Sequence, residues 1–445
     1  MNKRESRECL HAWRARASAL ILLFLLAACS GVDPELRPDA AANLTRTNGI
    51  NRPEQRDKPY LILVSFDGFR ADYLDRFELP NFRRIMERGA RARAMVPVFP
   101  SLTFPNHYSL VTGLHPQRHG IVANSFYDPA RAQTYALGDR TAVEDGTWYR
   151  GEPIWVTAER QGMVAACYFW PGSEAAIRGI RPTYWRTYDG EVANAARVDG
   201  LLDWLRLPDE RRPHLITLYF SEVDTASHRG PLDSPAVEQA ANTVDQMLGL
   251  LMTGIESLPI RDRVYLVLTS DHGMIETSVS QTVRLDSLID SGQLKYASGG
   301  PVANLHVTGG RTTAVTVRNQ INARLQHGRA YLREELPERY HYRADPRAGD
   351  VVVVMDESWT MMTSATSSSD RKVERWGAHG WDPAVEGMLA LFIIAGPDIS
   401  AGTVIPEVQN VDVYPLMTEL LGLTPARSID GKPGVIRRQI APKHP

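Results

Sequence analysis

The chain has 445 residues, 43% of them hydrophobic and 23% charged, which excludes a fibrous or wholly disordered protein. A body of this length can bury a substantial core without cross-links. The formal net charge of −2 gives no global attraction to nucleic acid or to an anionic surface, so a nucleotide would have to be held by a local site.

The first residues read as a targeting segment. Lys3, Arg4, Arg7, Arg14 and Arg16 make a basic start, diluted by Glu5 and Glu8, and Ala17 to Ala28 is apolar apart from Ser18. That run is too short to cross a bilayer and fits a cleaved export signal over residues 1–28. It ends in Leu26-Ala27-Ala28-Cys29, which resembles a bacterial lipobox. The resemblance implies a lipid on Cys29 and attachment to the cell envelope, at the outer membrane facing the periplasm. A plain secretory signal is the alternative. The cysteines are Cys9, Cys29 and Cys167, so loss of the signal and lipidation of Cys29 would leave no pair for an intrachain disulfide. Residues 29–59 are expected to be a flexible tether, since from Ser30 to Pro59 they lack apolar periodicity and are rich in Pro, Asn, Asp and Arg.

A catalytic domain is expected over residues 60–440, where apolar runs alternate with amphipathic stretches. Tyr60 to Phe66, Val164 to Phe169, Leu215 to Phe220 and Val264 to Thr269 read as buried strands, followed by Val351 to Met355 and Met388 to Ala395. Near-continuous apolar strands fit a parallel sheet covered on both faces. Helices are expected over Leu79 to Arg88, Ser234 to Ser257 and Val413 to Leu423. The order predicts an α/β fold, a mostly parallel sheet flanked by helices. Residues 280–345 have mixed character and are expected to form a smaller inserted or peripheral subdomain. Thr363 to Asp370 reads as a polar loop.

Ligands of open α/β sheets gather beyond the carboxyl ends of the strands. Asp67, Asp224 and Asp271 all fall just past such ends. Any one of them could be a helix cap, but three near histidines and hydroxyls suggest a site. Asp224 and His228, four residues apart, would share one side of a helical turn and could hold one metal. Asp271 and His272 precede Gly273, which could turn both side chains inward. His379 sits between Gly377 and Gly380 in a loop context. Thr103 precedes Pro105, which suits a first helical turn, and so lies where a helix dipole favours negative charge. A hydroxyl there could act as a nucleophile if a metal lowered its pKa. Ser101 is the competing candidate.

These residues fall in longer blocks: SFDGFRADYL (65–74), PVFPSLTFPNHYSLVTGLHPQRHGIVANSFYDP (97–129), GEPIWVTAERQG (151–162), LYFSEVDTASHRGP (218–231), LTSDHGM (268–274) and GAHGWDP (377–383). In content and order they resemble the nucleotide pyrophosphatase/phosphodiesterases of the alkaline phosphatase superfamily. The resemblance implies an alkaline-phosphatase-like fold and two zinc ions, one held by Asp67, Thr103, Asp271 and His272, the other by Asp224, His228 and His379. It implies that Thr103 is a covalent nucleophile, that Asn124 hydrogen-bonds a phosphate oxygen, and that Phe104 and Tyr219 flank a nucleobase with Tyr188 nearby. The expected activity is hydrolysis of nucleotide phosphodiester or pyrophosphate bonds through a phospho-threonine. Alternatives are a choline-phospholipid phosphodiesterase, a phosphomonoesterase or phosphonate hydrolase on the same metals, and an inactive surface binding protein.

Overall fold

The computed structural model describes residues 49–363 and 373–442. The expected export signal, Cys29 and most of the Ser/Thr-rich loop after Thr363 lie outside the described residues.

The centre is an eight-stranded sheet in the order Thr403–Ile405, Ala90–Ala92, Phe392–Ala395, Val264–Thr269, Tyr60–Phe66, Leu215–Phe220, Ala165–Tyr168 and Tyr184–Arg186. Only Phe392–Ala395 runs against the others. Tyr60–Phe66 lies at the middle, paired in parallel with Leu215–Phe220 on one side and Val264–Thr269 on the other. Successive residues of a strand point to opposite faces. Leu61 and Leu63 accordingly enter one core with Trp155, Tyr414 and Met417. Tyr60, Ile62, Val64 and Phe66 enter the other with Phe82, Val244 and Leu248. Burial on both faces is why this strand reads as an unbroken apolar run. The exception is Ser65, a buried hydroxyl.

Pro235–Glu256 is the longest described helix and buries Val237, Ala241, Val244, Leu248, Leu251 and Ile255, a single helical stripe. Its buried Asp245 accepts from the backbone N–H groups of Asn81 and Phe82, both at 2.9 Å, and so caps the neighbouring helix Pro80–Arg88.

Several boundaries differ from expectation. Met388 belongs to a short 3-10 turn, and only Phe392–Ala395 of that run is a strand, antiparallel at that. The helix from Val413 stops at Leu421, where Gly422 takes the left-handed conformation that commonly closes helices. Val351–Met355 lies in a different sheet, an antiparallel one in the order Leu294–Ala297, Val302–Val307, Val351–Met355, Gly328–Leu332. An apolar run alone does not say which sheet a strand joins. This second sheet packs with the helix Gly310–Arg324 around a core of its own that includes Leu285, Leu305, Val317, Val353 and Met361. The peripheral subdomain therefore extends past Asp345, and its ends are tied where Thr282–Arg284 pairs with Thr360–Met362. It joins the body through Tyr342, whose hydroxyl donates to the Val122 carbonyl at 2.8 Å.

The expected tether also ends before Pro59. Asn51 is fully buried, donating to the Asp209 and Arg212 carbonyls and accepting from Val164 N–H at 2.8 Å. Pro59 is likewise fixed. His214 stacks on Tyr60 with ring centroids 4.2 Å apart, and its Nδ1–H donates to the Pro59 carbonyl at 3.0 Å.

Burial pushes the His214 imidazole down to about 4. The unfolded ring titrates near 6.5 and binds the proton first, so this contribution is intact above that pH and is lost as the pH falls from about 6.5 to about 4. The loss is up to about 3 kcal/mol. His214→Phe, which keeps the stack, should flatten that part of the stability profile when urea midpoints are compared at pH 7 and pH 4.5.

Candidate metal centre

Three adjacent strands deliver the site. Asp67 follows Tyr60–Phe66 directly. Asp224 lies in the helix Glu222–His228 just after Leu215–Phe220, and Asp271 and His272 follow Val264–Thr269. Because the strands are in register at their ends, Phe66 opposite Phe220 and Ser65 opposite Thr269, the acidic residues emerge side by side. Asp67 N–H donates to the Phe220 carbonyl at 2.9 Å, and Asp224 N–H donates to the Asp67 carbonyl at 3.1 Å. Gly68 makes the approach possible. Its φ is +69°, and a β-carbon there would stand 3.0 Å from Asp224 Cα. Gly273 serves differently from the turn expected of it. It carries no positive φ, but a β-carbon would stand 2.2 Å from the Gly387 carbonyl oxygen, so glycine is needed for close passage of another chain segment.

Thr103 is the first residue of the helix Thr103–Thr112, preceded by extended Leu102. Its Oγ1 lies 3.3 Å from His272 Nε2. Ser101, the competing hydroxyl, is buried and donates to the Trp381 carbonyl at 2.9 Å, which removes it from contention as a nucleophile.

The three site histidines are oriented alike. His228 Nδ1–H donates to Gly377 O at 2.8 Å, His272 to Gly273 O at 2.8 Å, and His379 to Ser101 O at 3.0 Å. Fixing the proton on Nδ1 leaves the Nε2 lone pair facing the carboxylates. His228 Nε2 is 3.3 Å and His379 Nε2 3.6 Å from Asp224 Oδ1. His272 Nε2 is 2.9 Å from Asp271 Oδ2 and 3.5 Å from Asp67 Oδ1. Yet Asp67 Oδ1, Asp224 Oδ1 and Asp271 Oδ2 are buried and accept no hydrogen bond. Lone pairs facing lone pairs, buried and unsatisfied, are what a divalent cation would reconcile. Mixed carboxylate and imidazole donors suit a divalent first-row ion.

The donors fall in two groups. Asp67, Asp271 and His272 can place ligand atoms within 4.8 Å of one another, as can Asp224, His272 and His379. His272 therefore stands between the two positions, stacked on His379 with ring centroids 3.6 Å apart. Five of the expected ligands, Asp67, Asp224, Asp271, His272 and His379, fall in these groups, Thr103 Oγ1 lies beside His272, and His228 stands outside both groups at 3.3 Å from Asp224 Oδ1.

The electrostatics show the strain of this arrangement. Burial, then Asp271 and Asp224, push the Asp67 carboxyl well above the usual range. Burial would also raise Asp271, but His272 and His107 hold it well below. Burial and the neighbouring His272 push His379 down to about 3. The charged neighbours acting on these carboxylates are histidines and one another.

The aromatic expectations need one correction. Tyr219 is only 8% exposed, and its hydroxyl donates to Asp67 Oδ2 at 2.5 Å, so it holds a carboxylate and offers no open face for stacking. Tyr188 is 42% exposed and packs on the edge of Tyr219, and Phe104 is partly exposed beside Thr103. Asn124 Oδ1 accepts from Phe104 N–H at 2.9 Å, which leaves its amide Nδ2 as the donor to offer. His107 was not singled out from the sequence. It lies one turn after Thr103, buried against the cluster, and that four-residue spacing was the available signal.

Residues 61–382 match the family model described as Type I phosphodiesterase / nucleotide pyrophosphatase. The chain is 37% identical over 384 residues to ectonucleotide pyrophosphatase/phosphodiesterase family member 1 of Mus musculus, covering 84% of this chain and 42% of that protein. It thus spans less than half the length of that relative. It is 34% identical over 374 residues to the bis(5'-adenosyl)-triphosphatase of Xenopus laevis, covering 84% of this chain and 80% of that one. Among solved structures it superposes on murine ectonucleotide pyrophosphatase/phosphodiesterase 5, an inactive threonine-to-alanine variant in complex with AMP. The TM-score is 0.80 at 31% identity, over 86% of this chain and all of that one. The matched span runs from the strand before Asp67 to just beyond His379 and takes in the whole cluster, and the chain belongs to the Type I phosphodiesterase / nucleotide pyrophosphatase family.

Proposed function

We propose that this protein is a two-zinc hydrolase of nucleotide phosphodiester or pyrophosphate bonds that works through a phospho-threonine at Thr103. The observation that carries the reading is the convergence of unsatisfied carboxylate oxygens and Nδ1-anchored histidines beside the Thr103 hydroxyl. One ion would be held by Asp67, Thr103, Asp271 and His272, the other by Asp224, His228 and His379. Bound there, the metals supply the positive charge that lowers the hydroxyl pKa and neutralises the departing oxygen.

The chain's own groups do the rest. The Thr103 oxygen forms a bond to phosphorus as the leaving oxygen departs, and water then cleaves the phospho-threonine. Asn124 Nδ2 donates to a non-bridging oxygen as its charge grows. Two zinc ions and three aspartates would leave about one net positive charge before Thr103 ionises, which matches a diester's single negative charge better than a monoester's near two. The half-buried Phe104 and the exposed Tyr188 would flank a base, in line with the AMP held by the murine relative. That a threonine-to-alanine variant of that relative is inactive supports Thr103 in the same role.

Chelation should abolish turnover of a nitrophenyl nucleotide diester, and zinc should restore it. Asp224→Ala and His379→Ala should each lose metal by elemental analysis, and full occupancy in both would overturn the ligand assignment. Because the ligating imidazoles must be unprotonated, metal affinity should fall in acid.

Thr103→Ala should lose about 10³-fold or more in kcat while keeping its fold and at least one metal. Thr103→Ser should retain measurable activity, and Ser101→Ala should matter far less. Mass mapping after trapping with a slow substrate should place the phosphoryl group on Thr103. Inversion at a chiral phosphorus, in place of net retention, would rule out the covalent route.

The lipobox-like Leu26-Ala27-Ala28-Cys29 motivates a membrane-anchored placement in the cell envelope. Cys29→Ala should release active protein from the membrane fraction or block its maturation. Unchanged detergent partitioning would count against lipidation.

A further inference from the structure

His107 is fully buried, and its ring touches each element that carries the Thr103 side of the site. Its Nδ1–H donates to the Thr103 carbonyl at 2.9 Å and stands 3.4 Å from Asp271 Oδ2. Its Nε2 accepts from the Ser65 hydroxyl at 2.8 Å, in the strand that ends at Asp67. The ring plane is held edge-on by Trp170, with centroids 5.1 Å apart, and by Tyr219 at 5.3 Å. Trp170 in turn donates its indole N–H to the His107 carbonyl at 3.2 Å, and Tyr219 holds Asp67. Both ring nitrogens have protein partners and His107 belongs to neither group of metal-ligand candidates, so it is not read as a metal ligand. It is also unlike the three ligand histidines, each of which spends Nδ1 on a carbonyl and aims Nε2 at a carboxylate.

We propose that His107 is the positioning residue of the nucleophile: its Nδ1–H, donated to the Thr103 carbonyl beside Asp271, sets the Thr103 hydroxyl against His272. This rests on the reading of Thr103 as the nucleophile. The physical reason is leverage. Thr103 is the first residue of its helix, where the backbone lacks the hydrogen bonds that fix interior turns. An error of about 1 Å in a reacting atom can cost on the order of 10²-fold. A side chain one turn on that grips the Thr103 carbonyl and meets Asp271 ties the loose end of the helix to the metal-ligand frame. Ser65 holds the far side of the ring. It is the one polar residue in an otherwise apolar buried strand, and its hydroxyl is spent on this contact.

The two nitrogens can be separated by substitution in the full-length protein. His107→Asn keeps a donor near the Nδ1 position and gives up the Ser65 contact. His107→Gln keeps a group near Nε2 and gives up the Thr103 and Asp271 contacts. With the nitrophenyl nucleotide diester, His107→Gln should lower kcat by about 10- to 100-fold, the range in which partners of metal ligands act, with KM changed less than about 3-fold and zinc content unaltered. His107→Asn should lower kcat by no more than about 3-fold, even where its melting temperature falls further. Ser65→Ala, which leaves the Nδ1 contacts in place, should likewise stay within about 3-fold, and it tests the idea even if His107→Gln does not accumulate. Equal kcat losses in the Asn and Gln variants, or losses that track melting temperature or zinc content, would overturn the proposal. So would a tenfold loss in Ser65→Ala. Thr103→Ala run alongside separates the two readings. If it retains turnover, the nucleophile assignment has failed. If it is dead while His107→Asn and His107→Gln behave alike, only the positioning role has failed.

Discussion

The structure turns on the crowding of three carboxylates, the buried Asp67 and Asp271 and the half-buried Asp224, at the ends of three neighbouring strands. Two like charges 4 Å apart repel by about 4 kcal/mol even at a generous effective dielectric, and burial removes the water that would screen them. The chain alone offsets this only in part, with imidazoles around Asp224 and Asp271 and the Tyr219 hydroxyl on Asp67. The imidazoles are themselves turned the wrong way to hydrogen-bond, because backbone carbonyls hold their Nδ1 protons. The site is therefore incomplete as a set of protein groups and poised for cations. In the proposed function, that incompleteness is what would let bound cations stabilise charge that develops on a phosphoryl group.

Holding such a cluster requires a frame that does not relax around it. The central sheet provides one. Tyr60–Phe66 is buried over its whole length, clamped by parallel neighbours on both sides and by a core on each face. The cost of desolvating the carboxylates is met by packing that lies elsewhere in the molecule. Gly68 and Gly273 show how little slack remains, since at each an added methyl would collide with backbone.

The reaction centre and its rim are built differently. The centre draws on strand ends and one helix start, which are rigid. The rim carries Phe104 and the exposed Tyr188, with Asn124 bridging centre and rim through its bond to Phe104 N–H. The second sheet supports that region from outside, with Tyr342 holding the carbonyl of Val122 two residues before Asn124.

Much of this was legible in the sequence. Unbroken apolar runs announced the parallel strands, because a strand buried on both faces has no polar side to show. An aspartate past each of three such runs, and a histidine four residues after one of them, pointed to the cluster, because strand ends and helical turns have fixed geometry. Other features depended on partners far away in the chain. Nothing local tells that Val351–Met355 joins the second sheet, that Asn51 is captured by residues 209–212, or that Asp245 caps the helix at Asn81. Tyr219 looked like a stacking ring until burial and its bond to Asp67 gave it another task. His107 looked like one more residue of a helix until the sheet brought Ser65 and Asp271 against it. Local pattern determined which groups could bind metal and phosphate. Only tertiary contact, which places a side chain between elements remote in sequence, decided which of the remaining polar residues hold those groups in position.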